Sequence, residues 1–218
     1  MISSAKLTLL ACAFGLLAAC GNERQEARQD LFVRLSENWK QRFTDPAPKP
    51  EDPAAVLRAA LPAILEQVPA PMILMTQRKL GGAEIFVLST EVGDHRVFGS
   101  DSNTTITLEG GVLAETRGLG DDLMSSNNGP LPQLLRVHAE GDYQRVMRTL
   151  DGEGHEIAVM FDCRLSADTY ERMIENCTTP GKAIRNIYEY APDSSMLARS
   201  EQWLSPRHGH LTIEHIRH

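Results

Sequence analysis

The sequence predicts a mainly β protein: an antiparallel barrel-like or sandwich domain, preceded by a short N-terminal helix and a proline-rich spacer. Three observations support this fold class. Short segments rich in apolar and β-branched residues recur from residue 72 to residue 217, glycine-containing turn sequences separate many of them, and four prolines precede the whole region at 44–53. Short strands that follow one another through tight turns form antiparallel sheets, which close into barrels or pack as sandwiches.

The first 19 residues have the pattern of a secretory signal peptide. Lys6 provides a positive charge, residues 7–17 form an apolar run too short to span a bilayer, and small residues precede Cys20. The Leu-Ala-Ala-Cys sequence at 17–20 resembles the lipobox of bacterial lipoproteins, which implies cleavage before Cys20 and acylation of that residue. The alternative is an ordinary signal peptide with a chance cysteine. Acylation would anchor the protein permanently, because two acyl chains already hold a protein stably on a membrane.

Residues 20–53 are predicted to form a lipidated tether. Within it, residues 24–43 have the periodicity of an amphipathic helix, and 44–53 cannot continue that helix because prolines disfavour helical backbone. The proline-rich segment is therefore predicted to be a stiff spacer. The helix could lie on the membrane, dock on the domain or bind a partner. Its apolar face consists of Leu31, Phe32, Leu35, Trp39 and Phe43.

The remaining residues, 54–218, are predicted to form one β-domain. It begins with a helix at 54–68 that contains Pro62, and strand patterns follow. Residues 118–141 interrupt the strands with turn-forming residue types, and one or two helical turns are predicted at 131–137. The predicted strands are 72–77, 83–89, 95–99, 104–108, 112–117, 142–150, 155–165, 169–177, 183–190, 196–204 and 209–217.

The charge of the chain limits its partners. It has 29 acidic and 22 basic residues and a formal net charge of −7. This acidity disfavours nucleic acid and anionic lipid surfaces as partners, because both are negatively charged. No second apolar run approaches the roughly 20 residues that span a bilayer, so the predicted membrane contact is the lipid on Cys20.

The cysteine content agrees with export. Cys12 is lost with the signal peptide and Cys20 is acylated, which leaves Cys163 and Cys177 as an even pair. In an oxidising compartment such a pair usually forms a disulfide. Two free buried thiols are the alternative. A metal site is less favoured, because the pair lacks the C-x-x-C spacing that is common in zinc sites.

The loop that begins at Arg117 and contains Asp121 and Asp122 is the first candidate site. Its glycines suggest a phosphate-binding loop, but the third glycine of G-x-G-x-x-G and the Gly-Lys-Ser/Thr of a P-loop are missing. A glycosidase needs two carboxylates across a cleft, and calcium needs six to eight oxygen ligands. We therefore predict that the aspartates cap a helix beginning near Leu123.

The C-terminal segment is rich in histidine. His208 and His210 would share one face of a strand, where they could bind a transition metal weakly, but exposed strand-end histidines are the simpler interpretation. A G-x-S-x-G nucleophile motif is absent from the sequence. We predict no catalytic residues, no metal and no cofactor, and we do not expect an enzyme.

A second candidate site lies near the C-terminus. Arg199 and Trp203 share a face of the strand predicted at 196–204, and Gln202 lies beside them. An arginine and an indole suit stacking on sugar rings or a cation–π contact. The alternative is that Trp203 belongs to the core and the aliphatic stem of Arg199 packs beside it.

Three segments resemble the YjbF/GfcB family of bacterial envelope lipoproteins, also called YmcC-like. They are Gly-Val-Leu-Ala-Glu-Thr-Arg-Gly-Leu-Gly-Asp-Asp-Leu at 111–123, Phe-Asp-Cys-Arg-Leu at 161–165 and Arg-Ser-Glu-Gln-Trp-Leu-Ser-Pro-Arg-His-Gly at 199–209. The resemblance covers residues 60–217 and also includes the lipobox, the proline-rich spacer and the cysteine pair. The chain departs from the family at His210 and in the charged segment 169–177.

The resemblance implies a barrel-like domain encoded beside exopolysaccharide or group 4 capsule genes, with no catalytic residues to transfer. It implies an outer-membrane lipoprotein, and Gly21 fits that membrane. We therefore expect a periplasm-facing accessory protein that acts by binding a polysaccharide or proteins of the export machinery. The alternative is a periplasmic carrier of a small apolar ligand, since antiparallel barrels can hold one.

Overall fold

The computed structural model describes residues 52–150 and 153–218. The predicted signal peptide, Cys20, the helix at 24–43 and the spacer up to residue 51 lie outside the described residues. Two helices and twelve strands are present in the described part of the chain: α1 Pro53–Gln67, β1 Met72–Gln77, β2 Gly82–Val92, β3 His95–Gly99, β4 Thr105–Glu109, β5 Val112–Arg117, β6 Leu123–Asn127, α2 Leu131–Arg136, β7 Gly141–Leu150, β8 Glu156–Thr169, β9 Arg172–Thr179, β10 Lys182–Tyr190, β11 Leu197–Ser205 and β12 Gly209–Arg217.

All twelve strands form one antiparallel sheet with the order β5-β4-β3-β2-β1-β12-β11-β10-β9-β8-β7-β6. Strand β1 pairs with both β2 and β12, so the first and last strands of the domain are neighbours. The two edge strands, β5 and β6, also lie close together. The sheet is therefore a nearly closed barrel, which confirms the predicted fold class.

Alternation along the strands places apolar side chains inside this barrel. In β10, Ile184 and Tyr188 are buried while Ala183 and Arg185 are exposed, as expected when successive side chains point to opposite faces. The inner face is filled by two apolar clusters of the described residues. The larger contains Ile73, Met75, Phe86, Phe98, Ile106, Leu108, Leu113, Leu123, Met147, Phe161, Cys163, Cys177, Ile184, Leu204, Leu211 and Ile213.

The second cluster lies where α2 covers one end of the barrel. Leu131 and Leu135 of α2 pack with Tyr188 and Tyr190 from β10, and the Tyr190 hydroxyl donates a 2.7 Å hydrogen bond to the carbonyl of Leu135. This short helix confirms the helical turns predicted at 131–137. We call the covered end the lower end, and the end formed by the β5–β6 and β11–β12 connections the upper end.

Helix α1 packs on the outside of the barrel, next to β2. Asp52 caps it, because its carboxylate accepts hydrogen bonds from the amides of Ala54 and Ala55, and the proline at the first helical position has no amide to satisfy. At the other end, the guanidinium of Arg217 donates to the carbonyls of Leu65 and Val68. The helix predicted at 54–68 is thus confirmed.

Two details of the predicted strands were wrong. Strand β6 lies within the segment predicted to interrupt the sheet, because pairing with β7 and burial of Leu123 outweigh the turn preference of its Ser and Asn residues. The turn expected at 166–168 lies instead at 170–171. Pairing continues to Thr169↔Arg172, so the small residues at 166–168 extend the strand.

Candidate functional site

The β5–β6 connection is organised by the carboxylate of Asp122. It accepts hydrogen bonds from the amides of Gly118 at 2.9 Å and Leu119 at 3.1 Å, and from the hydroxyl of Thr116 at 2.9 Å. The Thr116 hydroxyl in turn accepts from the amide of Leu123 at 2.9 Å. Because Leu123 begins a strand, the prediction that Asp121 and Asp122 cap a helix was wrong: Asp122 caps a turn.

Arg117 joins the two edges of the sheet. Its guanidinium donates to the carbonyl of Leu123 at 3.0 Å and to the carbonyl of Met124 at 3.1 Å, both in β6. Strands β5 and β6 are the two ends of the sheet order and are not ladder partners, so these side-chain bonds replace a backbone ladder. Arg117, which begins the first candidate site, therefore has a structural role where β5 and β6 meet.

Gln202 points into the barrel and links β11 to β5. Its side-chain oxygen accepts from the amide of Leu113 at 2.7 Å, and its nitrogen donates to the carbonyl of Gly111 at 2.9 Å and the hydroxyl of Ser200 at 2.9 Å. The residue is only 1% exposed. Gln202 is therefore buried, and the prediction that it belongs to a binding surface with Arg199 and Trp203 was wrong.

Trp203 packs against the larger apolar cluster, with its ring centroid 6.4 Å from that of Phe161. The ammonium of Lys182 lies 3.3 Å from the centroid of the indole, and burial lowers the pKa of this lysine. The amide of Trp203 donates to the side-chain oxygen of Asn186 at 2.7 Å. The cation on the indole is thus Lys182 rather than Arg199, and Trp203 packs on the core, as the alternative interpretation expected.

Arg199 lies on the outer face in a network of ion pairs. Its guanidinium contacts the carboxylate of Glu189 at 2.8 Å and that of Glu201, which also lies 3.4 Å from Arg78. On its other side, Arg199 is the register partner of Glu214, which pairs with Arg58 of helix α1. Strands β10, β11 and β12 therefore present a polar strip beside helix α1.

The two candidate segments meet at the upper end. Asp121 lies 4.0 Å from Arg207, and both side chains are about half exposed. Beside them, His208 is 1% exposed and its Nδ1 is 3.2 Å from the side-chain oxygen of Gln77. Burial lowers the pKa of His208. The interpretation of this histidine as an exposed strand-end residue was therefore wrong.

A buried polar cluster, which the sequence analysis did not identify, lies inside the barrel. The carboxylate of Glu175 is fully buried and accepts from Arg145 at 3.1 Å, Tyr143 at 2.8 Å, Tyr188 at 3.0 Å and Asn186 at 2.6 Å. The pKa values of Tyr143 and Tyr188 are raised mainly by burial and secondly by the negative charge of Glu175. Both hydroxyls therefore stay protonated and act as donors. The sequence feature that could have indicated this cluster is the pair of charged residues, Arg145 and Glu175, at inward positions of β7 and β9.

Comparison with known proteins assigns a family to this barrel. The chain matches the family described as group 4 capsule polysaccharide lipoprotein gfcB, YjbF, over residues 59–216. The chain belongs to the YjbF family. This confirms the resemblance drawn from the sequence. No curated protein gives a significant match.

A solved structure shares the YjbF-family fold of this chain. The crystal structure of the hypothetical lipoprotein YmcC from Escherichia coli K12 has a TM-score of 0.60 and 16% sequence identity, and the match covers 78% of this chain and 97% of that one. At this identity the likeness establishes the fold. Among the described residues, no helix has the length and apolar character needed to cross a membrane.

The YjbF domain contains the predicted disulfide. Cys163 and Cys177 are direct register partners in β8 and β9, with their Cα atoms 4.0 Å apart. The sulfur of Cys177 lies 3.2 Å from a carboxylate oxygen of Glu175, so the disulfide borders the buried polar cluster. Oxidised sulfurs are not thiolates, and metals bind cysteine as the thiolate. Cys163, Cys177 and Glu175 therefore link neighbouring strands through a disulfide and polar contacts.

Proposed function

We propose that this protein is an outer-membrane-anchored accessory lipoprotein that acts by binding in the assembly or export of an exopolysaccharide or capsule. The observation that carries the proposal is the match to a family described as group 4 capsule polysaccharide lipoprotein over residues 59–216. The proposed partners are the polysaccharide or the proteins of the export machinery. The net charge of −7 disfavours nucleic acid.

The N-terminal sequence supports the proposed location. Residues 1–19 are the proposed signal peptide, Cys20 the lipidated residue, and 20–53 the tether of the β-domain at 54–218. Gly21 favours the outer membrane, and the domain faces the periplasm. Confinement by the lipid raises the effective concentration of the domain near an export machine on the same membrane.

The interior of the barrel favours binding at its outer surface. Phe86, Phe98 and Phe161 are at most 1% exposed, and the polar cluster around Glu175 occupies part of the remaining inner face. A carrier of a small apolar ligand needs an internal space, as lipocalin-type barrels have. The packed inner face therefore disfavours the alternative of a carrier. Detection of a co-purified lipid by mass spectrometry would support that alternative instead.

The proposal is tested by deleting the gene and measuring secreted and surface polysaccharide. We expect a loss that the wild-type gene restores in trans and that the Cys20→Ala variant fails to restore, although that variant folds. Unchanged polysaccharide in the deletion strain would refute the role in export. Full restoration by Cys20→Ala would refute the need for the lipid anchor.

A further inference from the structure

A polar cleft of about 340 Å³ lies on the outer face of the barrel, where the N-terminal end of α1 meets β1, β11 and β12. Ligand pockets in proteins have volumes of about 300–1,000 Å³, so this cleft suits a small ligand such as a single sugar unit. Arginines and carboxylates form most of its wall. They are Arg58, Arg78, Arg199, Asp52 and Glu214.

Two threonines contribute to the lining of this cleft. Thr76 of β1 and Thr212 of β12 are direct register partners, so their side chains are neighbours. The hydroxyl of Thr76 is buried and has no hydrogen-bond partner among the described residues. Buried hydroxyls in this state are uncommon. A ligand in the cleft can pair with this one once the side chains that cover it move aside.

The arginines of the cleft differ in how well they are paired. Arg58 forms an ion pair with Glu214, and Arg199 contacts two carboxylates. Arg78 has one long contact of 3.4 Å, to Glu201, and its side chain is 75% exposed. Among the three arginines of the lining, Arg78 is thus the cation with the most capacity for a further anion.

We propose that this cleft binds an acidic sugar residue. The guanidinium of Arg78 receives the sugar carboxylate, because arginine pairs with carboxylates through two parallel hydrogen bonds. The carboxylates of Glu214 and Asp52 accept hydrogen bonds from sugar hydroxyls, and the Thr76 hydroxyl gains its missing partner. The inference rests on the proposed function, and it specifies the substrate class as a polysaccharide that contains uronic acid units.

The test is a titration of the full chain, purified in detergent, with methyl glucuronide, methyl glucoside and inorganic phosphate. We expect saturable binding of the glucuronide, weaker binding of the uncharged glucoside, and at least about tenfold weaker glucuronide binding by Arg78→Gln, because glutamine removes the charge and at least one of the two hydrogen bonds. Arg164→Gln is the matched control. Arg164 is also exposed and paired with a carboxylate, that of Asp142, but lies on β8 away from the cleft.

Thr76→Val separates a binding role from a structural one. Removing a buried hydroxyl without a partner leaves the melting temperature unchanged or higher, whereas we expect glucuronide affinity to fall about three- to tenfold. Equal glucuronide affinities for the wild type, Arg78→Gln and Thr76→Val would overturn the proposal. Phosphate binding as tight as glucuronide binding, with the same dependence on Arg78, would overturn its assignment to a sugar.

Deletion of the gene distinguishes this inference from the function on which it rests. If the deletion strain loses polysaccharide and the titration shows no saturable glucuronide binding, the cleft proposal alone fails. If the deletion strain keeps its polysaccharide, the proposed function fails, and the titration alone decides whether the cleft binds the glucuronide. Polysaccharide loss together with Arg78-dependent glucuronide binding supports both.

Discussion

Two arginine–glutamate clusters of this barrel use the same side chains in opposite environments. Inside, the side chains of Arg145 and Glu175 are 1% and 0% exposed. Outside, the side chains of Arg199, Glu189 and Glu201 are 29%, 32% and 21% exposed. Water can replace a lost partner in the outer cluster but not in the inner one. The inner cluster therefore serves to stabilise the fold, whereas the side chains of the outer cluster can exchange their ion-pair partners for a ligand.

The energies of the two clusters should differ accordingly. Removing one member of a buried ion pair costs about 3–5 kcal/mol, because the other charge is left without compensation. Surface pairs contribute about 0–1 kcal/mol, since solvent screens them and ordering their side chains costs entropy. Substitutions in the two clusters, measured in the same protein, test whether burial alone separates them.

The largest expected effect is that of Glu175→Gln. The substitution keeps the shape of the side chain but leaves the buried Arg145 guanidinium without a negative partner. We expect the free energy of unfolding to fall by about 3–5 kcal/mol, measured by urea denaturation. Glu189→Gln in the outer cluster is the matched control, with an expected change below about 1 kcal/mol. Equal losses for the two variants would remove the distinction between the clusters.

The disulfide beside the inner cluster has the next largest expected effect. Replacing Cys163 and Cys177 by alanine opens a loop with a sequence separation of 14, and the chain-entropy model gives a loss of about 3 kcal/mol for such a loop. The check is the melting temperature of the wild type with and without reductant, beside that of the double variant. A wild type unaffected by reductant, with a double variant that melts at the same temperature, would contradict a stabilising disulfide.

Most of the fold was predictable because local alternation determines it. Strands β1, β3, β5 and β12 have the predicted bounds, since each combines an alternating or apolar pattern with clear turn residues at its ends. Strand β6 was missed because its Ser and Asn residues favour turns, and only pairing with β7 makes them a strand.

The candidate site was less predictable, because its contacts depend on how the sheet closes. The bond between Gln202 and Gly111 joins residues 91 positions apart, and no local pattern in β11 indicates it. The pairing of Lys182 with Trp203 likewise follows from the packing of strand ends. The disulfide was predictable, because cysteine count and compartment suffice to infer it.

The smallest effects separate Arg199 and Gln202, which are three positions apart and lie on opposite faces of β11. Gln202→Leu leaves the buried amide of Leu113 and the carbonyl of Gly111 without their partners, so we expect a loss of about 1–3 kcal/mol in the free energy of unfolding. Arg199→Gln should change that energy by less than about 1 kcal/mol, because its carboxylate partners remain partly solvated. Urea denaturation of both variants measures the difference. If Arg199→Gln proved the more destabilising, the outer cluster would be part of the framework of the barrel, and its freedom to exchange partners with a ligand would be lost.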